Sequence, residues 1–311
     1  MKKNLYLFFY VFILFALTFS SCQKDNQNKV PVADAGAAHM ITLPTDTVTL
    51  TGTGTDADGT ITGYLWSQVS GPVESEIVNP GSLSSLVNFT KSGTYIYQLM
   101  VVDNLGATGL DTVSVVVNSS PIDSITLTAN PNDGYYDLTY AGNSTNNYSD
   151  PSSPEIDAAA WTWNGLPDIL RASFIFNLSK LPQNVTILSA KLNLYSNPFP
   201  LNGNLVDANF GNDNSIYIQR VVGNWDMNSG WLTQPSTSTE DQVLIPHTNQ
   251  PKLDLIGVDV TKLVAAMVSN TNHGFMIRLV NETAFTSRLF CGVRYSDASK
   301  HPGLTVTYKY N

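Results

Sequence analysis

Apolar and polar residues alternate along much of the chain with the period of a β-strand. Residues 47–51 alternate threonine with valine or leucine, and apolar residues occupy every second position of 95–101. Turn-forming pairs such as Asp58–Gly59 separate these runs. A period of two is typical of strands with one buried face. We therefore predict an all-β protein.

The second half of the chain continues this pattern, with one interruption. The predicted strands there are 125–128, 172–176, 187–195, 215–221, 275–280 and 304–308. Residues 260–268 instead place Leu263, Val264, Met267 and Val268 on one face at helical spacing. A short helix is predicted there, with Asp259 or Thr261 available to cap its start.

Length and linker composition predict two domains. At about 150 residues per domain, 311 residues suffice for two. The polar stretch Asn118-Ser119-Ser120-Pro121 follows a predicted strand and is typical of a linker. We predict domains at residues 30–118 and 121–311.

The N-terminus has the features of an export signal. Lys2 and Lys3 precede an uncharged apolar run over 5–19, which is too short to span a membrane comfortably. Phe19-Ser20-Ser21-Cys22 then resembles the lipobox of bacterial lipoproteins, which implies removal of residues 1–21 and acylation of Cys22. The alternative is an ordinary secretory signal with an incidental cysteine.

The residues after Cys22 predict how the protein is displayed. Residues 22–29 are polar and suit a flexible tether. Gln23-Lys24-Asp25 resembles the surface-export signals of Bacteroidota lipoproteins. The expected location is the outer membrane at the cell surface, with the lipid anchor as the only membrane contact.

Charge and motif content exclude several classes of protein. The 16 Lys and Arg against 25 Asp and Glu give a net charge of −9, with no basic cluster after residue 3, so we expect no nucleic-acid partner. The four histidines lack metal-ligand spacing, and neither a nucleophile elbow nor a P-loop is present. We expect no catalytic residue, no cofactor and no enzymatic activity. A glycoside hydrolase stays open as the alternative, because the fold sets the separation of its two carboxylates.

Motifs in the first predicted domain resemble the polycystic kidney disease (PKD) repeat. They are Asp-Ala-Asp-Gly-Thr-Ile at 56–61, Tyr-Leu-Trp-Ser-Gln-Val-Ser-Gly-Pro at 64–72, Gly-Thr-Tyr at 93–95 and Val-Val-Asp-Asn-Leu-Gly-Ala at 101–107. The resemblance implies an immunoglobulin-like β-sandwich with Trp66 in its core, serving as an extracellular spacer or adhesion module. Leu65-Trp66-Ser67-Gln68 departs from the Trp-Asp-Phe-Gly-Asp-Gly run of many members.

The second predicted domain resembles the DNRLRE family, also described as disaggregatase-related and counted among carbohydrate-binding modules. The resembling segments are 171–178, 187–195, 224–225, 231–235, 258–264, 273–277 and 301–308. The resemblance implies a larger jelly-roll-type β-sandwich with one short helix and a role in glycan binding.

Two acids in the first domain raise the question of calcium. Asp56 and Asp58 precede Gly59, and calcium prefers carboxylate and carbonyl oxygens. An EF-hand alignment fails, because it would put Gly54 at position 1 and Leu65 at position 12. A structural calcium ion and a turn capped by its own acidic side chains are the two alternatives.

Sugar binding needs flat apolar faces and planar hydrogen-bonding groups. The candidate binding residues are Trp161, Trp163, Arg171, Arg288, Arg294 and Tyr295. The two tryptophans lie two positions apart, so they face the same side of an extended segment; the alternative is that both pack into the core. We expect Arg288, Arg294 and Tyr295 near a loop, where arginines would suit an acidic glycan or form surface salt bridges. Trp225 and Trp231 are expected in the core.

Two functions remain. The leading hypothesis is a noncatalytic surface lipoprotein whose second domain binds polysaccharide, with the PKD-like domain as a spacer. The alternative is a structural or adhesive surface protein that binds other proteins and has no glycan site. Exposed aromatic residues beside polar groups in a groove of the second domain would favour the first.

Cys22→Ala should abolish membrane anchoring, because the sequence after Cys22 offers no second apolar run of spanning length. Cell fractionation should find the variant soluble or unprocessed. A cleaved variant that stays in the membrane fraction would refute lipidation at Cys22.

Overall fold

The computed structural model describes residues 27–143 and 147–311. The chain divides into two compact units, with the division between Ser119 and Ser120. The predicted signal peptide, the lipidation site at Cys22 and most of the predicted tether lie outside the described residues. No helix of the described part is long and apolar enough to cross a membrane.

The described part of the first unit contains nine strands. They are β1 (Val32–Asp34), β2 (His39–Thr42), β3 (Thr47–Thr51), β4 (Thr53–Thr55), β5 (Ile61–Ser70), β6 (Glu76–Ile77), β7 (Ser84–Asn88), β8 (Gly93–Asp103) and β9 (Thr108–Asn118). One sheet has the order β2-β9-β8-β5, a second has the order β3-β7-β6, and β1 pairs with β4. This is the predicted immunoglobulin-like sandwich.

Trp66 and the inward residues of β8 form the core of the first unit. Trp66 is 1% exposed, and Tyr95, Tyr97 and Leu99 are completely buried, as the period of two predicts. Gly52 lies directly over this cluster, since a Cβ added there would stand 2.4 Å from a Leu99 methyl and 3.2 Å from the Trp66 ring. Any side chain at position 52 would collide with this cluster, so the packing of Trp66 requires glycine there.

The acidic turn of the first unit is held by local hydrogen bonds. Asp56 Oδ1 accepts from the Asp58 N–H at 3.3 Å, and Asn104 Oδ1 accepts from the Thr60 N–H at 2.7 Å. Such contacts are typical of short polar side chains in turns. They fit the capped-turn alternative.

The second unit contains thirteen described strands and one α-helix. The strands are β10 (Ile122–Thr128), β11 (Tyr136–Gly142), β12 (Asn147–Asp150), β13 (Glu155–Trp163), β14 (Leu166–Ile175), β15 (Val185–Leu194), β16 (Asn209–Phe210), β17 (Ile216–Val221), β18 (Thr237–Ile245), β19 (Leu255–Asp259), β20 (Phe275–Leu279), β21 (Thr286–Cys291) and β22 (Gly303–Tyr310). The helix, α1, spans Thr261–Ser269.

Two sheets of unequal width pack together in this unit. The smaller has the order β10-β22-β15-β19, and the larger has nine strands. Leu192 and Val306 of the smaller sheet share one core cluster with Phe174, Ile218 and Phe290 of the larger. The predicted larger β-sandwich with a short helix is therefore confirmed.

Helix α1 closes part of this core. Leu263, Val264 and Met267 are buried, whereas Val268, predicted on the same face, is partly exposed. Asp259 Oδ1 accepts hydrogen bonds from the N–H of Thr261 at 2.9 Å and from its hydroxyl at 2.6 Å. These bonds, together with the Lys191 ammonium, lower the pKa of Asp259.

Trp66→Ala should destabilise the first unit by about 3–5 kcal/mol, the usual cost of truncating a fully buried tryptophan. That cost is a large part of the roughly 5–15 kcal/mol that stabilises a domain. Hydrogen exchange read by mass spectrometry should show lost protection in β5, β8 and β9 and unchanged protection in β13–β21, since the two units have separate core clusters.

Leu65→Ala is the matched control, because the neighbouring Leu65 is exposed. It should leave exchange nearly unchanged. Equal loss of protection for the two variants would contradict the assignment of Trp66 as the core residue.

Candidate functional site

A groove of about 820 Å³ lies over one face of the larger sheet in the second unit, above β12, β11, β14 and β13. The strand register places Tyr148 opposite Ala141, Ala141 opposite Leu170, and Leu170 opposite Ala159. Directly opposite residues project from the same face of a sheet. Ala141 and Ala159 have short side chains, so the space above this row of residues stays open.

Three kinds of residue line the groove. Aromatic side chains are Tyr148, Trp161 and Trp163; acidic side chains are Asp150, Asp157 and Asp168; and the loop 201–205 forms one wall. This combination of apolar faces with a few polar groups is typical of a ligand site.

Strand β13 supplies the groove from alternate positions. Ile156, Ala158 and Ala160 point into the main core of the sandwich. Asp157 and Trp161, at the intervening positions, line the groove. Along β13, alternate residues therefore point into the core and into the groove.

A tight hairpin presents Trp163. Asn164 and Gly165 connect β13 to β14, with φ of 50° and 79°, and Trp163 lies opposite Leu166. A two-residue Asn-Gly loop with positive φ is the favoured type I′ connection. Trp163 stands at the end of this hairpin and is 65% exposed.

Trp161 is braced by two other rings. Its centroid lies 5.8 Å from that of Phe210 and 5.3 Å from that of Phe285, both in edge-to-face geometry. The two tryptophans do face the same side, but they differ in packing. Trp161 is half-buried and oriented by the fold, whereas Trp163 is open to solvent.

A buried glutamate holds the loop that forms the wall. Glu155 accepts hydrogen bonds from Asn197 Nδ2 at 2.6 Å, from the N–H groups of Leu201 and Asn202 at 3.0 and 3.1 Å, and from Asn202 Nδ2 at 3.1 Å. Asn202 Nδ2 also donates to Asp157 Oδ2 at 3.0 Å. One amide group therefore ties both carboxyls to the loop.

Two groove carboxyls each have an oxygen that is not fully hydrogen-bonded. Asp157 is fully buried and Asp168 is 6% exposed. Oδ1 of each makes no well-formed hydrogen bond with the described residues, although the Thr139 hydroxyl interacts with the Asp157 carboxyl and favours its charged form. Burial raises the pKa of Asp168, and burial together with the neighbouring Glu155 raises the pKa of Asp157 well above its ordinary value.

Arg171, a predicted binding residue, does not line the groove. Its guanidinium makes two bonds to the carboxylate of Glu282, at 2.8 and 2.9 Å, and lies 4.8 Å from the centre of the Trp231 ring. It lies in the middle of β14, because this strand begins at Leu166, six residues before the predicted strand 172–176. Trp225 is buried and Trp231 is partly buried in the cluster beside it, in line with their expected core positions.

The prediction that Arg288 lies near a loop is wrong. Arg288 belongs to β21 and is 1% exposed, with one terminal nitrogen donating to the Pro246 carbonyl at 2.7 Å. Every residue of this strand is buried. Arg288 therefore has no access to a surface glycan in this structure.

Arg294 and Tyr295 also lie away from the groove lining. Arg294 pairs with the buried carboxylate of Asp137 at 3.1 Å, and the Tyr295 carbonyl accepts from His301 Nε2 at 2.8 Å. Of the six predicted glycan residues, the fold brings only Trp161 and Trp163 together in the groove.

Sequence reasoning missed Tyr148, Asp157, Asp168 and Asn202. Part of the signal was present, because Asp157 and Trp161 have the same parity in an extended segment. Asn202 could not be found this way, since it reaches the groove from a loop 45 residues further along the chain.

Among residues 27–143 and 147–311, no group of three or more His, Cys, Asp or Glu side chains is arranged to hold a metal ion.

Comparison with known proteins identifies the first unit. Residues 35–117 match the model of the K319L-like PKD domain. The mouse dyslexia-associated protein KIAA0319-like is 35% identical over 107 residues, which are 33% of this chain and 10% of that protein. Mouse low-density lipoprotein receptor-related protein 11 is 36% identical over 101 residues, which are 32% of this chain and 20% of that protein. The first unit is therefore a PKD domain.

A wider likeness exists to a solved carbohydrate-binding module of the β-sandwich superfamily. It covers 91% of this chain and 93% of that one, at 11% sequence identity and a TM-score of 0.23. A likeness of this size does not bear on the function.

Asp157→Asn should change how stability depends on pH. The folded pKa of Asp157 is raised above its ordinary value of 3.8, so folding retains a proton that the unfolded chain releases. The contribution of Asp157 to the stability of the parent is therefore fully present below about pH 4 and falls as the pH rises toward the folded pKa. Unfolding by denaturant should therefore show that the free energy of unfolding of the variant increases relative to that of the parent between pH 4 and pH 8.

The test is how the difference in unfolding free energy between variant and parent changes with pH. Burying an amide lowers the stability of the variant by the same amount at every pH, so it does not affect this slope. Glu240→Gln, which removes one exposed acid from β18, is the control and should run parallel to the parent. If the unfolding free energies of Asp157→Asn and the parent also change with pH in parallel, Asp157 does not retain a proton on folding.

Proposed function

We propose that the second unit binds a polysaccharide in the groove and that the PKD domain is the spacer that carries it. The single observation behind this proposal is that exposed aromatic rings lie beside unpaired carboxyl oxygens in one groove. A glycan-free spacer would have no need of this arrangement.

The chemistry of a sugar ring suits each part of the groove. One face of a pyranose is a sheet of C–H bonds that packs on an aromatic ring, and its hydroxyls donate to carboxyl oxygens. Trp163 and Tyr148 offer exposed rings, and Trp161 offers a ring held by Phe210 and Phe285. The volume of about 820 Å³ lies within the usual range of ligand pockets, roughly 300–1,000 Å³.

The proposal includes a location and a mode of action. A signal peptide and lipidated Cys22 would tether the protein to the outer membrane at the cell surface. The resemblance of residues 171–308 to the DNRLRE family supports glycan binding without catalysis. Glu155 supports it too, since its carboxyl is occupied by four N–H donors and is not available as a catalytic partner for Asp157.

Adhesion to another protein is the second candidate. It is favoured by the exposed apolar side chains of Phe199 and Val206, which flank the wall loop 201–205 but do not line the groove. A protein partner would bury these side chains, whereas a sugar in the groove would leave them in water.

Trp163→Ala should weaken glycan binding without lowering stability, because the ring is exposed and would contribute to the complex rather than to the fold. Stacking on one aromatic ring is worth about 1 kcal/mol or more, which corresponds to roughly a fivefold loss of affinity. The measurement is a glycan array with the full-length protein, followed by calorimetric titration with the best glycan found.

Ile256→Ala is the matched control, because Ile256 is 61% exposed but lies on the smaller sheet. It should bind like the parent. Trp161→Ala should lose both affinity and some melting temperature, since Trp161 packs on two rings. No binding to any glycan, or full binding by Trp163→Ala, would leave adhesion as the better hypothesis.

A further inference from the structure

Among the described residues, the groove lining contains acids but no basic side chain: it includes Asp150, Asp157 and Asp168 and no Lys, Arg or His. The three arginines that were expected to bind a glycan have partners elsewhere: Arg171 pairs with Glu282, Arg294 pairs with Asp137, and Arg288 donates to the Pro246 carbonyl. The charge that lines the groove is therefore not balanced from within it.

Two of these acids each have a buried carboxyl oxygen that the protein leaves without a well-formed hydrogen bond. They are Oδ1 of Asp157 and Oδ1 of Asp168. A buried acceptor without a partner is unfavourable, and a ligand that donates to it removes the cost. Sugar hydroxyls are such donors, whereas carboxylate and sulfate groups accept only and would meet like charge at short range.

We propose that the groove selects polysaccharides without acidic groups, with their hydroxyls donating to Asp157 and Asp168, and that the carboxyls of Asp150 and Asp168 disfavour chains bearing carboxylate or sulfate. This inference rests on the proposed function, because it names the ligand class of the same groove. It replaces the acidic glycan that the arginines suggested in the sequence.

Asp168 is the residue best suited to test this selection. It lies opposite Trp161 in the β13–β14 pair, so it faces the sugar stacked there. Asp157 is less suitable, since its carboxyl also holds the wall through Asn202. Asp168→Asn keeps the shape and one acceptor oxygen but removes the charge.

The probes are matched pairs of linear β-1,4 hexasaccharides that differ in the acid at C6: cellohexaose with its glucuronate counterpart, and mannohexaose with hexamannuronate. A glycan array of neutral and acidic polysaccharides extends the set. Measurements are made at pH 8, because alkaline pH favours the charged form of carboxyls whose pKa is raised, as for Asp157 and Asp168, and in about 20 mM salt, where screening is weak.

The parent should bind neutral glycans at least about tenfold more tightly than their acidic counterparts. Asp168→Asn should reduce that ratio at least about threefold, mainly by gaining affinity for the acidic member, and about 0.5 M salt should reduce it for the parent. Asp150→Asn, a second variant in the groove, should act in the same direction. Glu240→Gln, which removes one exposed charge elsewhere, should leave the ratio unchanged.

The outcomes separate the two proposals. Acidic glycans that bind as tightly as neutral ones, or a ratio that is unchanged in both groove variants with parental melting temperatures, overturn the selectivity and leave glycan binding standing. Binding to no glycan on the array overturns the proposed function and this inference with it. Selective binding that both groove variants relax supports both.

Discussion

The carboxyl of Glu155 is the point on which the groove depends, because four N–H donors from residues 197–202 converge on it inside the second unit. A buried carboxyl without such donors would be very unfavourable, so the glutamate and the loop each require the other. The loop then forms a wall above the sheet. The side-chain amide of Asn202 donates to both Glu155 and Asp157, so it also fixes the position of the Asp157 carboxyl. Two closely spaced acids on one strand are thereby kept on the side of the sheet that faces away from the main core.

The wide sheet explains why a groove can exist on this side. Its inner face is covered by the smaller sheet and helix α1, which together complete the large core. Apart from the large core, the sheet carries two smaller buried clusters, one around Trp225 and one of Ala159, Leu170, Ala208 and Leu289 that borders the groove. Ala141 and Ala159 leave room above the strands, and the aromatic residues stand around that room. The sandwich core thus forms the scaffold, and the groove beside it leaves part of the sheet uncovered.

The same sheet also determines which charges a ligand would meet. Each arginine considered for glycan binding satisfies a group of the protein itself: Arg171 a carboxylate and a tryptophan ring, Arg288 a backbone carbonyl, and Arg294 a buried aspartate. The unpaired polar atoms of the groove are carboxyl oxygens instead. In the proposed function, the PKD domain would carry this acid-lined aromatic surface outward, and the tryptophans would supply affinity while the acids supply selectivity.

The sequence by itself determined what depends on neighbouring residues. Alternation gave the strands and the burial of Trp66, Tyr95 and Tyr97, helical spacing gave α1 to within a residue or two, and parity put Trp161 and Trp163 on one side. Only the tertiary structure decided which partners the charged residues have, because those partners are distant in the chain: 111 residues separate Arg171 from Glu282, and 157 separate Arg294 from Asp137. Period and turn chemistry act over a few residues, whereas the pairing of a charge is set by whichever strands the fold makes adjacent. The tryptophans of the groove could therefore be predicted from sequence, and its acids and its wall could not.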